Sequence, residues 1–162
     1  MSRSVKTNGK LPIIAAALFA LVLAGCTQTP KPSAIAGKAV PGSAEDFSVN
    51  VGDRVLFVVD SSELTVTAQG ILDRQAQWLK LYPKYTVMLN GHADERGTRE
   101  YNIALGARRA SAVRSYLGSR GIGPGRLQTI SYGKERPVSV CDAESCWSQN
   151  RRAVTILNQA GT

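Results

Sequence analysis

The stretch GHADERGTREYNIALGARRA, residues 91–110, places many charged residues directly beside a helical apolar pattern. It follows a predicted strand and continues into a predicted helix over residues 99–119. At about 100° per residue, one side of that helix is largely apolar but includes an arginine: Asn102, Leu105, Arg109, Ala112, Val113 and Tyr116. Because an unpaired buried charge is costly, Arg109 must reach the helix edge, pair with a carboxylate or bind an anionic ligand.

Strands and helices alternate around this stretch. Strands are predicted at residues 54–59, 85–89, 127–132 and 153–158, the first as a buried apolar run, and a second helix at residues 66–81. Pro83 and Gly121 mark the ends of the two helices. This order predicts an α/β (α+β) fold, a two-layer β-α-β-α-β-β sandwich with helices on one face of a mixed four-stranded sheet.

A candidate ligand site lies at the carboxyl ends of the first two strands, where sites collect in such sheets. Asp94 follows the second strand, and Asp60 ends the first and shares the rim if the two strands are neighbours. A carboxylate can bind an ammonium group and a guanidinium can hold a carboxylate with two hydrogen bonds, so Asp94 and Arg109 suit a zwitterionic amino-acid head group. The alternative is a structural Asp94 to Arg109 salt bridge near a helix N-terminus.

The N-terminus has the pattern of a bacterial lipoprotein signal. Basic residues precede an apolar run over residues 11–24, and Leu-Ala-Gly-Cys ends at Cys26. The run is too short to span a membrane comfortably, which favours a cleaved signal. A short membrane anchor is the alternative. The resemblance to lipoprotein signals implies cleavage that leaves residues 1–25 as the signal and a covalent lipid on Cys26. With Thr27 after the cysteine, it also implies sorting to the outer membrane.

Residues 26–48 are rich in Pro, Gly, Ser and Ala, which predicts a flexible lipid-anchored tether before a folded domain at residues 49–160. The chain has 162 residues and a formal charge of +8. Removal of the signal takes away Arg3, Lys6 and Lys10, so a nucleic-acid partner is not expected. A binder of acidic polymers that acts through net charge alone remains an alternative.

The remaining cysteines, Cys141 and Cys146, are predicted to form a disulfide in an oxidising compartment. The bridge requires a turn at residues 142–145 that brings the α-carbons to about 5 to 6 Å. A zinc site is the alternative, with too few ligands nearby.

An enzyme is the rival class, because His92 and Asp94 form an H-x-D pair typical of metal hydrolases. The chain has one histidine, so donors for a catalytic metal are few. We therefore expect no catalytic residue, no metal and no cofactor apart from the lipid. Arg151 and Arg152 are interpreted as an exposed, solvated pair.

Three ordered motifs carry a family resemblance: residues 91–113, ISYGKERP at 130–137 and SQNRRAV at 148–154. Together they resemble the OmpA-like peptidoglycan-binding domain. The resemblance implies that Asp94 and Arg109 clamp the diaminopimelate of peptidoglycan stem peptides, with Asp60, Asn102 and Leu105 completing the pocket.

The resemblance also implies a location at the outer membrane with the domain in the periplasm. It implies a partnership with a TolB-like periplasmic protein, in a Tol system that links outer membrane to cell wall and assists constriction at division. The cysteine pair and Arg99, where a proline is frequent, depart from the family pattern.

Overall fold

Four strands and two long helices account for most of residues 39–159, the part of the chain that this computed structural model describes. Two short helical turns and two short helices complete it. In chain order the elements are α1 Ala44–Asp46, a π-helical turn Phe47–Gly52, β1 Arg54–Leu56, α2 Val66–Leu81, β2 Tyr85–His92, α3 Arg99–Ser119, a 3-10 turn Pro124–Arg126, β3 Leu127–Gly133, α4 Glu144–Asn150 and β4 Arg152–Gln159.

The strands form one mixed sheet in the order β1-β4-β2-β3. β4 runs antiparallel to both β1 and β2, whereas β2 and β3 are parallel. β1, β2 and β3 therefore run in one direction and end at the same edge of the sheet. β4 separates β1 from β2, so the two strands are not neighbours, but their carboxyl ends still lie on one rim.

Threonine caps begin both long helices where the sequence predicts them. The Thr65 hydroxyl accepts a hydrogen bond from the Ala68 N–H at 3.1 Å, and Thr98 accepts one from the Tyr101 N–H at 3.2 Å. After α3 the chain turns at Gly121, which has φ +89°, a conformation that favours glycine.

The helices and one face of the sheet enclose a single hydrophobic core. Buried strand residues such as Val55, Val87 and Leu89 pack with buried residues of α2 and α3 such as Leu72 and Leu117. On the opposite face of the sheet apolar side chains are exposed: Leu56, Ile130 and Ile156. The predicted two-layer arrangement is confirmed.

Three boundaries differ clearly from the prediction. β2, predicted to end at residue 89, continues to His92. β1 ends at Leu56, and Val58 and Val59 are more than half exposed, because the chain leaves the sheet edge and turns at Asp60, which has φ 54°. The folded unit also begins before residue 49. Phe47 is 1% exposed in the core, and the Trp78 indole N–H donates to Asp46 at 2.8 Å.

The predicted tether is therefore too long at its C-terminal end, since residues 44–48 belong to the folded unit. The signal at residues 1–25, Cys26 and the rest of the tether lie outside the described residues. None of the helices described between residues 39 and 159 combines the length and the hydropathy of a membrane span.

Candidate ligand-binding site

Two glycines bring α3 against the end of β2 and so set the distance between the helix and the loop after the strand. A Cβ added at Gly91 would lie 1.8 Å from the Gly106 carbonyl oxygen, and one at Gly106 would lie 2.4 Å from the Ser131 Oγ. Only hydrogen fits at either position. This close approach places the middle of α3 beside the loop that carries Asp94.

All five residues predicted for the ligand pocket line one cavity of about 290 Å³ at this edge of the sheet. The cavity is bordered by the loop after β1, the loop after β2 and the first three turns of α3. Its lining residues are Val59, Asp60, Asp94, Arg96, Gly97, Tyr101, Asn102, Leu105 and Arg109. The prediction that Asp94 and Arg109 face one cavity agrees with this geometry.

Asp94 is held between two guanidinium groups, and neither belongs to Arg109. Arg96 donates to both carboxylate oxygens, at 2.5 and 3.3 Å, and Arg151 donates from the buried side at 3.2 Å. Burial raises the pKa of Asp94, but the hydrogen bonds from Arg96 and Arg151 outweigh it and hold the pKa below its ordinary value. The alternative of a direct Asp94 to Arg109 salt bridge is wrong.

Arg109 is fully buried and bonded to neutral acceptors. It donates to the carbonyl oxygens of Ser61 at 2.8 Å, His92 at 2.8 Å and Val58 at 3.1 Å. Burial lowers its pKa to about 10, opposed by the charge of Asp94, so it stays protonated at neutral pH. A guanidinium has five N–H donors, so these three bonds leave two for a ligand.

The other predicted residues shape the rim and wall. Asn102 is 1% exposed and donates to the Arg96 carbonyl at 2.7 Å, which fixes the loop after β2. Leu105 forms an apolar part of the wall. Asp60, in the left-handed region of backbone space, accepts a hydrogen bond from the Tyr101 hydroxyl. Non-glycine residues rarely adopt this conformation, and those that do are often found at functional sites.

His92 does not line this cavity. Its ring is 4% exposed and stacks on Tyr132, with centroids 5.5 Å apart. Burial, together with the charges of Arg152 and Arg136, lowers its pKa to about 4, so it is neutral at neutral pH. Within residues 39–159 there is no group of three or more His, Cys, Asp or Glu side chains placed to hold a metal.

Three residues of the site were missed by sequence reasoning. Arg96 and Tyr101 stand within the stretch that predicts the pocket, and their proximity to Asp94 could have identified them. Arg151 is distant in sequence, and its interpretation as an exposed residue is wrong because it is 5% exposed. Arg152, at 4%, is buried too, because β4 is an inner strand of the sheet.

Cys141 and Cys146 are joined in a disulfide, with α-carbons 5.7 Å apart. Cys146 lies in α4, a helix at a position where only a turn is predicted from the sequence. Its pattern is too short to show helical periodicity.

A mixed four-stranded sheet with two long helices on one face and a charged cavity at the strand ends defines the OmpA-like class. Residues 56–152 match the model of the OmpA family, and the chain belongs to this family.

Named relatives extend the similarity along most of the chain. It is 54% identical to a protein named peptidoglycan-associated lipoprotein from Brucella melitensis biotype 1, with 98% of this chain and 99% of the relative covered. It is 56% identical to the Rhizobium meliloti protein of that name, with 98% and 94% covered. The crystal structure of the peptidoglycan-associated lipoprotein from Burkholderia pseudomallei is similar at a TM-score of 0.67 and 38% identity, over 70% of this chain and 98% of that one.

Proposed function

We propose that this protein is an outer-membrane lipoprotein that binds peptidoglycan non-covalently through the diaminopimelate of its stem peptides. The observation that carries the proposal is the cavity shared by the Asp94 carboxylate and the Arg109 guanidinium. The names of the relatives, which cover nearly the whole chain, support a link between membrane and cell wall.

The distal end of diaminopimelate bears an ammonium and a carboxylate on one carbon. In the proposed complex the ammonium approaches Asp94 and takes the exposed position that Arg96 now occupies, since the Arg96 side chain is 41% exposed and that of Arg151 only 6%. The ligand carboxylate accepts the two remaining N–H groups of Arg109. Asp60 and Tyr101 form the outer rim on the side of the β1 loop.

The anchor is proposed to be a lipid on Cys26, with cleavage of residues 1–25. Durable membrane attachment needs more than one acyl chain, and a lipidated N-terminal cysteine carries more than one. With the domain in the periplasm, we propose a TolB-like periplasmic partner and a role in envelope integrity and constriction at division. Affinity for one stem peptide need only be modest, because many anchored copies face many peptides.

Binding by net charge alone is the rival mechanism that an experiment can separate. Exposed charges attract an acidic polymer, and that attraction falls steeply with salt. The Asp94 and Arg109 groups are buried, so their contacts with a ligand are screened much less. Sedimentation of the full chain, in detergent, with isolated peptidoglycan should persist at high salt.

The decisive test is titration of the detergent-solubilised full chain with a diaminopimelate tripeptide and with the lysine tripeptide, which lacks the distal carboxylate. We expect preference for the first. Asp94→Asn, nearly isosteric, should weaken binding by about tenfold or more, because hydrogen bonds to charged groups contribute about 1.5 to 3 kcal/mol.

Asp73→Asn is the matched control. Asp73 also accepts a hydrogen bond from an arginine, Arg120 at 2.6 Å, but lies outside the cavity. This variant should bind normally. Equal affinity for the two peptides, or normal binding by Asp94→Asn, would overturn the proposal.

A further inference from the structure

Helix α4 contributes no residue to the lining of the ligand cavity and acts on Asp94 through other side chains. The indole ring of Trp147 lies under the Arg96 guanidinium, 4.3 Å from carbon to ring centroid, and its N–H donates to Glu95 at 2.9 Å. Arg96 in turn holds both oxygens of Asp94. An aromatic face beneath a guanidinium restricts its position through cation–π attraction.

Glu144, the first residue of α4, binds the guanidinium of Arg151, the second arginine that holds Asp94. The Glu144 carboxylate accepts hydrogen bonds from Arg151, the buried partner of Asp94. The exposed and the buried arginines that hold Asp94 are thus both supported by side chains of one seven-residue helix.

Such a short helix needs external support to stay formed, since isolated helices of this length are unstable in water. Its N-cap residue is Ala143, which makes no side-chain capping bond. The disulfide from Cys146 to Cys141 ties the first turn instead. At the other end, Asn150 accepts from the Val138 N–H at 2.8 Å and donates to the Ser139 carbonyl at 2.8 Å.

We propose that α4, tied by the Cys141–Cys146 disulfide, is the element that holds the two arginines on the Asp94 carboxylate and so sets how readily a ligand ammonium replaces Arg96. Trp147 is the positioning residue that acts through Arg96. Its consequence for binding rests on the function proposed above. The positioning itself exists in the free protein and can be measured without a ligand.

The experiment follows the carboxyl carbon of Asp94 by NMR in the full chain, labelled with ¹³C-aspartate and solubilised in detergent. Trp147→Ala changes no charge, so a shift of the Asp94 midpoint reports the altered hold of Arg96. We expect the midpoint to rise by about half a pH unit or more as the Arg96 hydrogen bonds loosen. Trp147→Phe keeps an aromatic face beneath Arg96 and should stay near the wild-type midpoint.

The matched control is Tyr116→Ala. Arg120 lies over the Tyr116 ring at 4.5 Å and pairs with Asp73, so the same combination of groups recurs away from the cavity. This variant should leave the Asp94 midpoint in place. The double variant Cys141→Ala/Cys146→Ala should raise it in the same direction as Trp147→Ala.

Titration with the diaminopimelate tripeptide should then show about threefold tighter binding for Trp147→Ala, the affinity change equivalent to half a pKa unit, because the ligand ammonium displaces a less firmly held Arg96. An unchanged Asp94 midpoint in Trp147→Ala, or an equal rise in Trp147→Phe, would overturn the proposal. If Trp147→Ala loses its folded spectrum, the disulfide variant decides: an unchanged midpoint overturns the proposal. Failure of wild-type protein to bind the peptide would count against the proposed function and leave the midpoint result intact.

Discussion

Arg109→Leu should lower the free energy of unfolding of the domain by far more than the loss of one charge suggests. The side chain donates hydrogen bonds to the carbonyls of Ser61, His92 and Val58, which belong to the loops after β1 and to the end of β2. These bonds join segments that the sheet itself does not connect, because β4 lies between β1 and β2.

The magnitude follows from those contacts. Hydrogen bonds to charged groups contribute about 1.5 to 3 kcal/mol each, so three would give about 4.5 to 9 kcal/mol. Two of the freed carbonyls, those of Val58 and Ser61, belong to partly exposed residues and will regain water. We therefore expect the lower end, about 4.5 kcal/mol, which corresponds to a fall in Tm of about 18 °C for a domain of this size.

The assay is urea unfolding followed by circular dichroism, with Arg114→Leu as the matched control. Arg114 is an exposed arginine of the same helix, so its replacement should change the free energy of unfolding by less than about 0.5 kcal/mol. A cost below about 1 kcal/mol for Arg109→Leu would refute this account of the carbonyl bonds. The expected loss also explains why Asp94→Asn, and no variant of Arg109, is the suitable test of binding.

Three further changes test the packing, the buried histidine and the disulfide. Gly106→Ala should lower the free energy of unfolding by about 3 kcal/mol, because the new Cβ would lie 2.4 Å from the Ser131 Oγ. Gly118→Ala, where the added Cβ meets open space, should raise the free energy of unfolding by about 0.5 to 1 kcal/mol. Thermal unfolding measures both changes. The pKa of His92 is about 4 in the folded protein and 6.5 in the unfolded chain, so the unfolded chain binds the extra proton between these pH values. The free energy of unfolding should therefore fall by about 3 kcal/mol as the pH drops from 6.5 to 4. Urea titrations at each pH should show this loss in the wild-type protein and not in His92→Phe. Cys141→Ala/Cys146→Ala should lower the free energy of unfolding by about 2 kcal/mol by the loop-entropy model; an unchanged urea midpoint would contradict it.

The long helices could be predicted because their signals are local. Residues 66–81 and 99–119 show apolar spacing, threonine before the first turn and a Pro or Gly after the last, and the structure begins and ends both helices there. Most of the site lies in the second of these helices or in the loop just before it, since Asp94, Asn102, Leu105 and Arg109 stand within sixteen positions of one another.

The missed features depend on contacts between distant segments. Val58 and Val59 suit a strand by composition, yet β4 begins at Arg152, opposite Leu56, and offers them no strand partner, so the Val58 carbonyl bonds to Arg109 instead. Arg151 looks solvated beside a second arginine, but the sheet order places it behind Asp94, 57 positions away in the sequence. Phe47 stands among tether-like residues and joins the core through Trp78, with ring centroids 4.9 Å apart.

The different partners of the two charged groups suit them to different parts of a zwitterion. A salt bridge to Asp94 would have cancelled the charge of Arg109, but its three carbonyl partners satisfy hydrogen bonds and leave the positive charge uncompensated by any bonded anion. A ligand carboxylate thus binds a guanidinium that is already held in place, so little side-chain entropy is lost on binding. Asp94, in contrast, already contacts a cation on its exposed side, and Arg96 must yield to the ligand ammonium. The ligand carboxylate, which the lysine peptide lacks, binds Arg109 without displacing another group, so in this pocket Arg109 carries the preference for diaminopimelate and Asp94 supplies the contact with the ammonium.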